Sequence, residues 1–145
     1  MTRIEGFRIQ NYRVLRDIAM GRILTDRNLS SAKPLTPLTV VIGKNGSGKS
    51  SLFDAFGFLT DCMDSDLETA CNARGRGGYD RLVTGGYEDE PVRITLCYRE
   101  SENDSPITYN VAIGKDESGL PAVISEILTQ GVESQSHGQP KPKPK

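Results

Sequence analysis

The stretch Leu38-Thr39-Val40-Val41-Ile42-Gly43-Lys44-Asn45-Gly46-Ser47-Gly48-Lys49-Ser50-Ser51-Leu52-Phe53-Asp54-Ala55-Phe56 organises this chain of 145 residues. Its first five residues are a largely β-branched run without alternation, as expected of a strand buried on both faces. Gly43 to Ser50 fit the pattern GxxxxGK[ST], and residues 49–63 place Leu52, Phe53, Phe56, Leu59 and Met63 at helical spacings of three and four. Strand, glycine-rich loop and helix, in that order, are the setting in which this motif holds phosphate. A chance match in a chain this long is on the order of 1%, so the loop is the first candidate site.

Each position has a physical reason. Gly43, Gly46 and Gly48 open backbone angles closed to other residues and let the chain approach an anion without a Cβ in the way. The N–H groups from Asn45 to Ser51 then face inward at the positive end of the helix. Lys49 supplies an ammonium to β- and γ-phosphates, Ser50 a hydroxyl to Mg²⁺, and Ser51 an N–H to the α-phosphate. The expected nucleotide site is therefore Gly43, Lys44, Asn45, Gly46, Ser47, Gly48, Lys49, Ser50 and Ser51, a Walker A P-loop for ATP and Mg²⁺, with Ser50 as the metal ligand.

Upstream, Ile4 to Ile18 predicts two short strands, about 3–10 and 14–19, with a tight turn near Asn11. Residues 21–37 turn to Asn, Ser, Asp, Lys and Pro, a mobile loop. Downstream, Asp66 to Ala73 adds a helical turn or two, and Arg74-Gly75-Arg76-Gly77-Gly78-Tyr79-Asp80-Arg81 reads as a glycine-rich basic loop. Val92 to Arg99 and Ile107 to Ile113 alternate as an antiparallel hairpin with one wet face, and Ala122 to Leu128 as a further strand. Residues 1–130 form one domain in this reading. Residues 131–145, ending in Pro140-Lys141-Pro142-Lys143-Pro144-Lys145, form a solvated tail.

The net charge of −1 hides a gradient, with +5 over residues 1–60 and −9 over residues 61–140. The basic excess lies in the segment that would meet a polyphosphate. Cys62, Cys71 and Cys97 form no CxxC pair, and the single histidine, His137, lies in the tail, which argues against a disulfide frame and a zinc site. The longest apolar run is far below the ~20 residues of a membrane span, and the N-terminus has no apolar signal region. The expected location is cytoplasmic, without membrane contact.

The segments Phe7-Arg8-Ile9-Gln10-Asn11-Tyr12-Arg13 and Leu15-Arg16-Asp17, followed by a strand, the loop Gly43–Ser51 and Phe53-Asp54-Ala55, resemble the start of the RecF/SMC/OLD-like branch of ABC-type AAA-family ATPases. The resemblance spans residues 1–130. It implies an α/β P-loop NTPase fold, here the N-terminal lobe of an ABC-type head with an antiparallel β subdomain, incomplete as it stands. In that family a C-terminal lobe supplies the signature motif, the Walker B acids and a switch histidine, and two heads sandwich ATP. No such signature is present, and neither Val92–Glu100 nor Ala122–Glu126 makes a convincing Walker B strand. The resemblance thus implies ATP binding in DNA repair or anti-phage defence without hydrolysis by this chain alone, and a missing lobe or second head as partner. By analogy, Arg8, Asn11 and Arg13 lie near the nucleotide, Gln130 falls where a Q-loop would, and Arg74, Arg76 and Arg81 are placed to touch DNA. The competing readings are a small P-loop kinase and a non-catalytic, nucleotide-dependent interaction module.

Overall fold

The computed structural model describes residues 2–25, 28–29, 33–44, 46 and 48–131. Their centre is a five-stranded sheet built from β1 (Arg3–Tyr12), β2 (Leu15–Gly21), β5 (Val92–Arg99), β6 (Ile107–Lys115) and β7 (Pro121–Gln130), in the order β2-β1-β5-β6-β7. Every neighbouring pair is antiparallel. Two-residue strands β3 (Leu24–Thr25) and β4 (Asn28–Leu29) pair with each other inside the segment expected to be loop. The expected hairpin and third strand are thus present, β5 with the expected bounds and β6 and β7 slightly longer than their alternation suggested.

One face of the sheet carries the helices. Ile9 pairs with Ile94 and Ile94 with Val111, a row of apolar side chains across three strands. Against it pack α1 (Lys49–Asp64), α2 (Leu67–Asn72) and α3 (Tyr79–Leu82). The buried stripe of α1 is Leu52, Ala55, Phe58 and Leu59, a narrower seam than the expected one. Phe53 and Met63 point to solvent instead, with Phe53 62% exposed. Phe7 meets Phe56 edge-on with ring centroids 5.1 Å apart, which anchors α1 to β1. Helix α2 starts at Asp66, whose carboxylate accepts from the Thr69 N–H at 2.8 Å, an ordinary N-cap.

The segment before the loop departs from expectation. Residues 38–42 form no strand, and Leu38, Val40 and Ile42 are 80%, 72% and 88% exposed. A β-branched run becomes a strand only when a neighbour supplies the other half of its hydrogen-bond ladder. None of the described strands pairs with it, so the run forms no strand; Val41 alone packs partly against the core while its neighbours are exposed. Among the described residues the sheet is therefore antiparallel, with the helices on one face. No described helix is long and apolar enough to cross a membrane.

Candidate functional site

The loop lies between the exposed segment and α1. Gly46 and Gly48 both adopt left-handed backbone angles, φ 82° and 98°, where a Cβ would be strained. Gly48 is the N-cap of α1 and offers no side-chain cap, while the first helical bond runs from Leu52 N–H to the Gly48 carbonyl at 2.9 Å. The N–H groups of Lys49, Ser50 and Ser51 therefore have no acceptor within the helix and head its positive end. The Lys49 ammonium folds back onto the Gly43 carbonyl across the loop. Ser50 is exposed and Ser51 buried at the helix start. Asn45 and Ser47 lie outside the described residues, as do His137 and the rest of the chain beyond Gly131.

A polyphosphate and its cation fit this set of groups. The left-handed glycines keep side chains away from the approach, one ammonium spans the loop, and an exposed hydroxyl stands beside it. A hard cation takes oxygen ligands, and Ser50 with phosphate oxygens would provide them. Among the described residues no cluster of three His, Cys, Asp or Glu could hold a metal independently.

The turn between β1 and β2 braces the loop. Asn11 and Arg13 both have positive φ, 59° and 51°, and the Arg13 N–H donates to the Leu82 carbonyl. This bends the chain so that Val14 and Leu15 reach Gly48: a Cβ on that glycine would lie 3.0 Å from Leu15 and 3.3 Å from Val14. Asn11 itself is buried, donating to the carbonyls of Tyr87 at 3.1 Å and Glu90 at 2.7 Å while accepting from the Thr84 N–H at 3.3 Å. It organises the 84–90 loop and is not presented to a nucleotide. Arg8 is likewise engaged, its guanidinium paired bidentately with Asp17 at 2.9 and 2.7 Å across the β1–β2 ladder. Of the three residues placed near the nucleotide by analogy, only Arg13 belongs to the turn while keeping its side chain partly exposed. That side chain lies 3.4 Å from Asp54.

The basic loop is also rearranged. Arg76 is completely buried at its side chain and bound to Asp54 and Asp61, so it cannot contact DNA. Arg74 pairs with Asp61 at 2.9 Å with its side chain largely in solvent, and Arg81 is exposed. A glycine-rich basic run reads as solvated because sequence carries no sign of which arginine turns inward.

Asp54, Asp61, Tyr12 and Arg76 form the part of the site that motif reasoning missed. Burial opposes ionisation of Asp54, yet the hydrogen bonds from Tyr12 and Arg76 and the charges of Arg13 and Arg76 outweigh it and hold the carboxyl below its ordinary value. Arg74 and Arg76 bring Asp61 down to about 2. Burial and the bond to Asp54 raise the Tyr12 hydroxyl well above its usual range, so it stays a donor. Burial pushes the Cys62 and Cys71 thiols up to about 11, which leaves them poor nucleophiles. The available sequence signal was Gly57, a glycine in a helix interior that has no turn to make.

Comparison with known proteins adds an independent line. The family model described as "AAA domain, putative AbiEii toxin, Type IV TA system" matches residues 38–142. Structural maintenance of chromosomes protein 1 of Caenorhabditis elegans is 33% identical over 108 residues, which is 70% of this chain and 8% of that protein. The chain thus spans a small fraction of this relative's length. No solved structure matches.

Proposed function

The chain belongs to the AAA domain family, whose members are nucleotide-binding ATPases, and from that premise we propose that it binds Mg-ATP through Gly43–Ser51. In this reading Gly43, Lys44, Asn45, Gly46, Ser47 and Gly48 wrap the phosphates. Lys49 neutralises the β- and γ-oxygens, Ser50 ligates Mg²⁺ and Ser51 closes on the α-phosphate. The carrying observation is the left-handed Gly48 at the start of α1, with the Lys49 ammonium spanning back to the Gly43 carbonyl. A nucleotide titration tests it. Lys49→Ala weakens ATP affinity about tenfold or more while leaving the fold intact, and equal affinity for both proteins refutes the reading.

The same proposal makes the chain the N-terminal lobe of a RecF/SMC/OLD-like ATPase in DNA repair or anti-phage defence, inactive in hydrolysis until a C-terminal lobe or second head completes it. The exposed Leu38, Val40, Ile42 and Phe53 support this as apolar side chains open to a partner. A cleft of about 1180 Å³ lies nearby, lined by Phe7, Leu35 and Phe56 but also by Glu5, Arg22 and Arg99. Adding a C-terminal lobe with a signature motif and Walker B acids should restore ATP turnover. Failure of a folded, assembled pair to hydrolyse ATP overturns this part of the proposal and leaves binding to be judged by the titration.

A further inference from the structure

Asp54 and Asp61 stand seven residues apart on α1, two turns along one face. The guanidinium of Arg76 spans the gap. Its Nε donates to both Asp54 oxygens at 3.2 and 3.3 Å, and its Nη1 donates to Asp61 Oδ2 at 2.6 Å and to the Ala70 carbonyl at 3.0 Å. The group has no solvent exposure and lies 5.6 Å from the centre of the Phe58 ring. Gly57, between the two aspartates, lies beside it: a Cβ there would sit 3.4 Å from Nη2, in ordinary van der Waals contact with a buried nitrogen that has no hydrogen-bond partner, whereas a larger side chain would collide with it.

Burying a guanidinium is costly, and apolar side chains of similar volume often stabilise as well or better. What a planar, two-armed cation adds is direction, because it matches two carboxylates at a fixed spacing and orientation. Here it joins two carboxylates of α1 to the Ala70 carbonyl of α2. From Asp54 the network continues to the Tyr12 hydroxyl and the Arg13 guanidinium, and the next two residues, Val14 and Leu15, close on Gly48. Two routes thus run from Arg76 to the phosphate loop, one along the helix and one through the β1–β2 turn.

We propose that Arg76 is a positioning residue for the phosphate loop, holding the first turns of α1 and the Tyr12–Leu15 turn in the geometry that presents the Lys49, Ser50 and Ser51 N–H groups. The inference rests on the reading of Gly43–Ser51 as a triphosphate site. Arg76 touches no nucleotide in this proposal and acts through Asp54.

Arg76→Gln and Asp61→Asn in the full chain test it, by amide hydrogen exchange without nucleotide and by affinity for ATP and for AMP. In Arg76→Gln, exchange at Leu52–Ala55 and at Arg13–Leu15 rises about tenfold relative to the β5–β6 amides. ATP affinity falls about tenfold, and AMP affinity, which uses little of the loop, by much less. Asp61→Asn, which keeps the Asp54 arm, gives a smaller change in the same direction and serves alone if Arg76→Gln does not fold. A uniform rise in exchange, or an ATP-to-AMP preference within twofold of the parent, refutes the proposal. If the parent binds no nucleotide, the triphosphate reading fails by itself, and the exchange pattern still decides whether Arg76 holds the loop.

Discussion

The Leu15 side chain stands 3.0 Å from the point where a Cβ on Gly48 would lie, so the second strand of the sheet touches the glycine that opens α1. That contact joins two demands on one residue, a left-handed backbone and the absence of a side chain. Gly48→Ala meets both penalties. The positive φ alone costs about 1–3 kcal/mol in a non-glycine residue, and the Leu15 methyl must also give way. We expect a loss of that order in urea unfolding together with weakened ATP binding. Unchanged stability would mean that the loop relaxes freely.

Gly57 allows an opposite prediction. A Cβ at 3.4 Å from Arg76 Nη2 is an ordinary van der Waals contact, and alanine favours a helix interior over glycine by about 1 kcal/mol. Gly57→Ala should therefore be neutral to stabilising by up to about 1 kcal/mol, whereas Gly57→Leu should displace the guanidinium and destabilise. Thermal melts of the two variants check this, and equal losses in both would contradict the geometry.

Acid should unfasten the network. Asp54, Asp61 and Glu5 are all held below their ordinary values in the fold, Glu5 by Arg22 and Arg99 against the opposing effect of its burial. A carboxyl lowered in the folded state contributes stability above its unfolded value, near 3.8 for Asp and 4.5 for Glu, and loses it as the pH falls through the folded value. The contribution of these groups should be constant from about pH 7 to 5 and decline from about pH 4 toward 2. Asp61→Asn should shallow that decline, read as urea midpoints at several pH values, and an identical slope would remove Asp61 from the account.

Exposed edges should make the chain sticky. Among the described residues strand β7 has β6 on one side only and leaves Val123, Ile124, Ile127 and Leu128 more than half in solvent, with Glu126 as its one charge. Unprotected edges of this kind invite self-association. Sedimentation velocity should show concentration-dependent association of the chain, reduced by Ile127→Lys. A monomer across the whole concentration range would count against it.

Much of this protein was legible from local pattern. Alternation revealed the β5–β6 hairpin because one face meets the helices, but the expected wet face is wrong: Arg93 is exposed there while Cys97, Arg99, Thr108 and Ala112 are buried; the three-and-four spacing revealed α1. The loop proposed to hold phosphate stands out as a motif because that chemistry requires glycine, lysine and serine at set positions whatever surrounds them. Where the reading failed, the missing information was always another part of the chain. Phe53 and Met63 fit a helical apolar stripe as well as Ala55 and Phe58 do, and only the position of the sheet decides which pair is buried. Asn11 looked like a turn residue near a ligand, yet its amide groups bond to a loop more than seventy residues away.

Residue type and spacing over a few turns or strand steps were enough to place the helix α1, the glycine that opens it and the antiparallel hairpin. Tertiary structure decided the rest. Leu38–Ile42 has the composition of a buried strand but pairs with no described strand, and Leu38, Val40 and Ile42 remain exposed. Arg76 has the composition of a surface loop but becomes the most deeply placed cation described, because two aspartates two helical turns apart and a glycine between them meet its guanidinium where water does not reach.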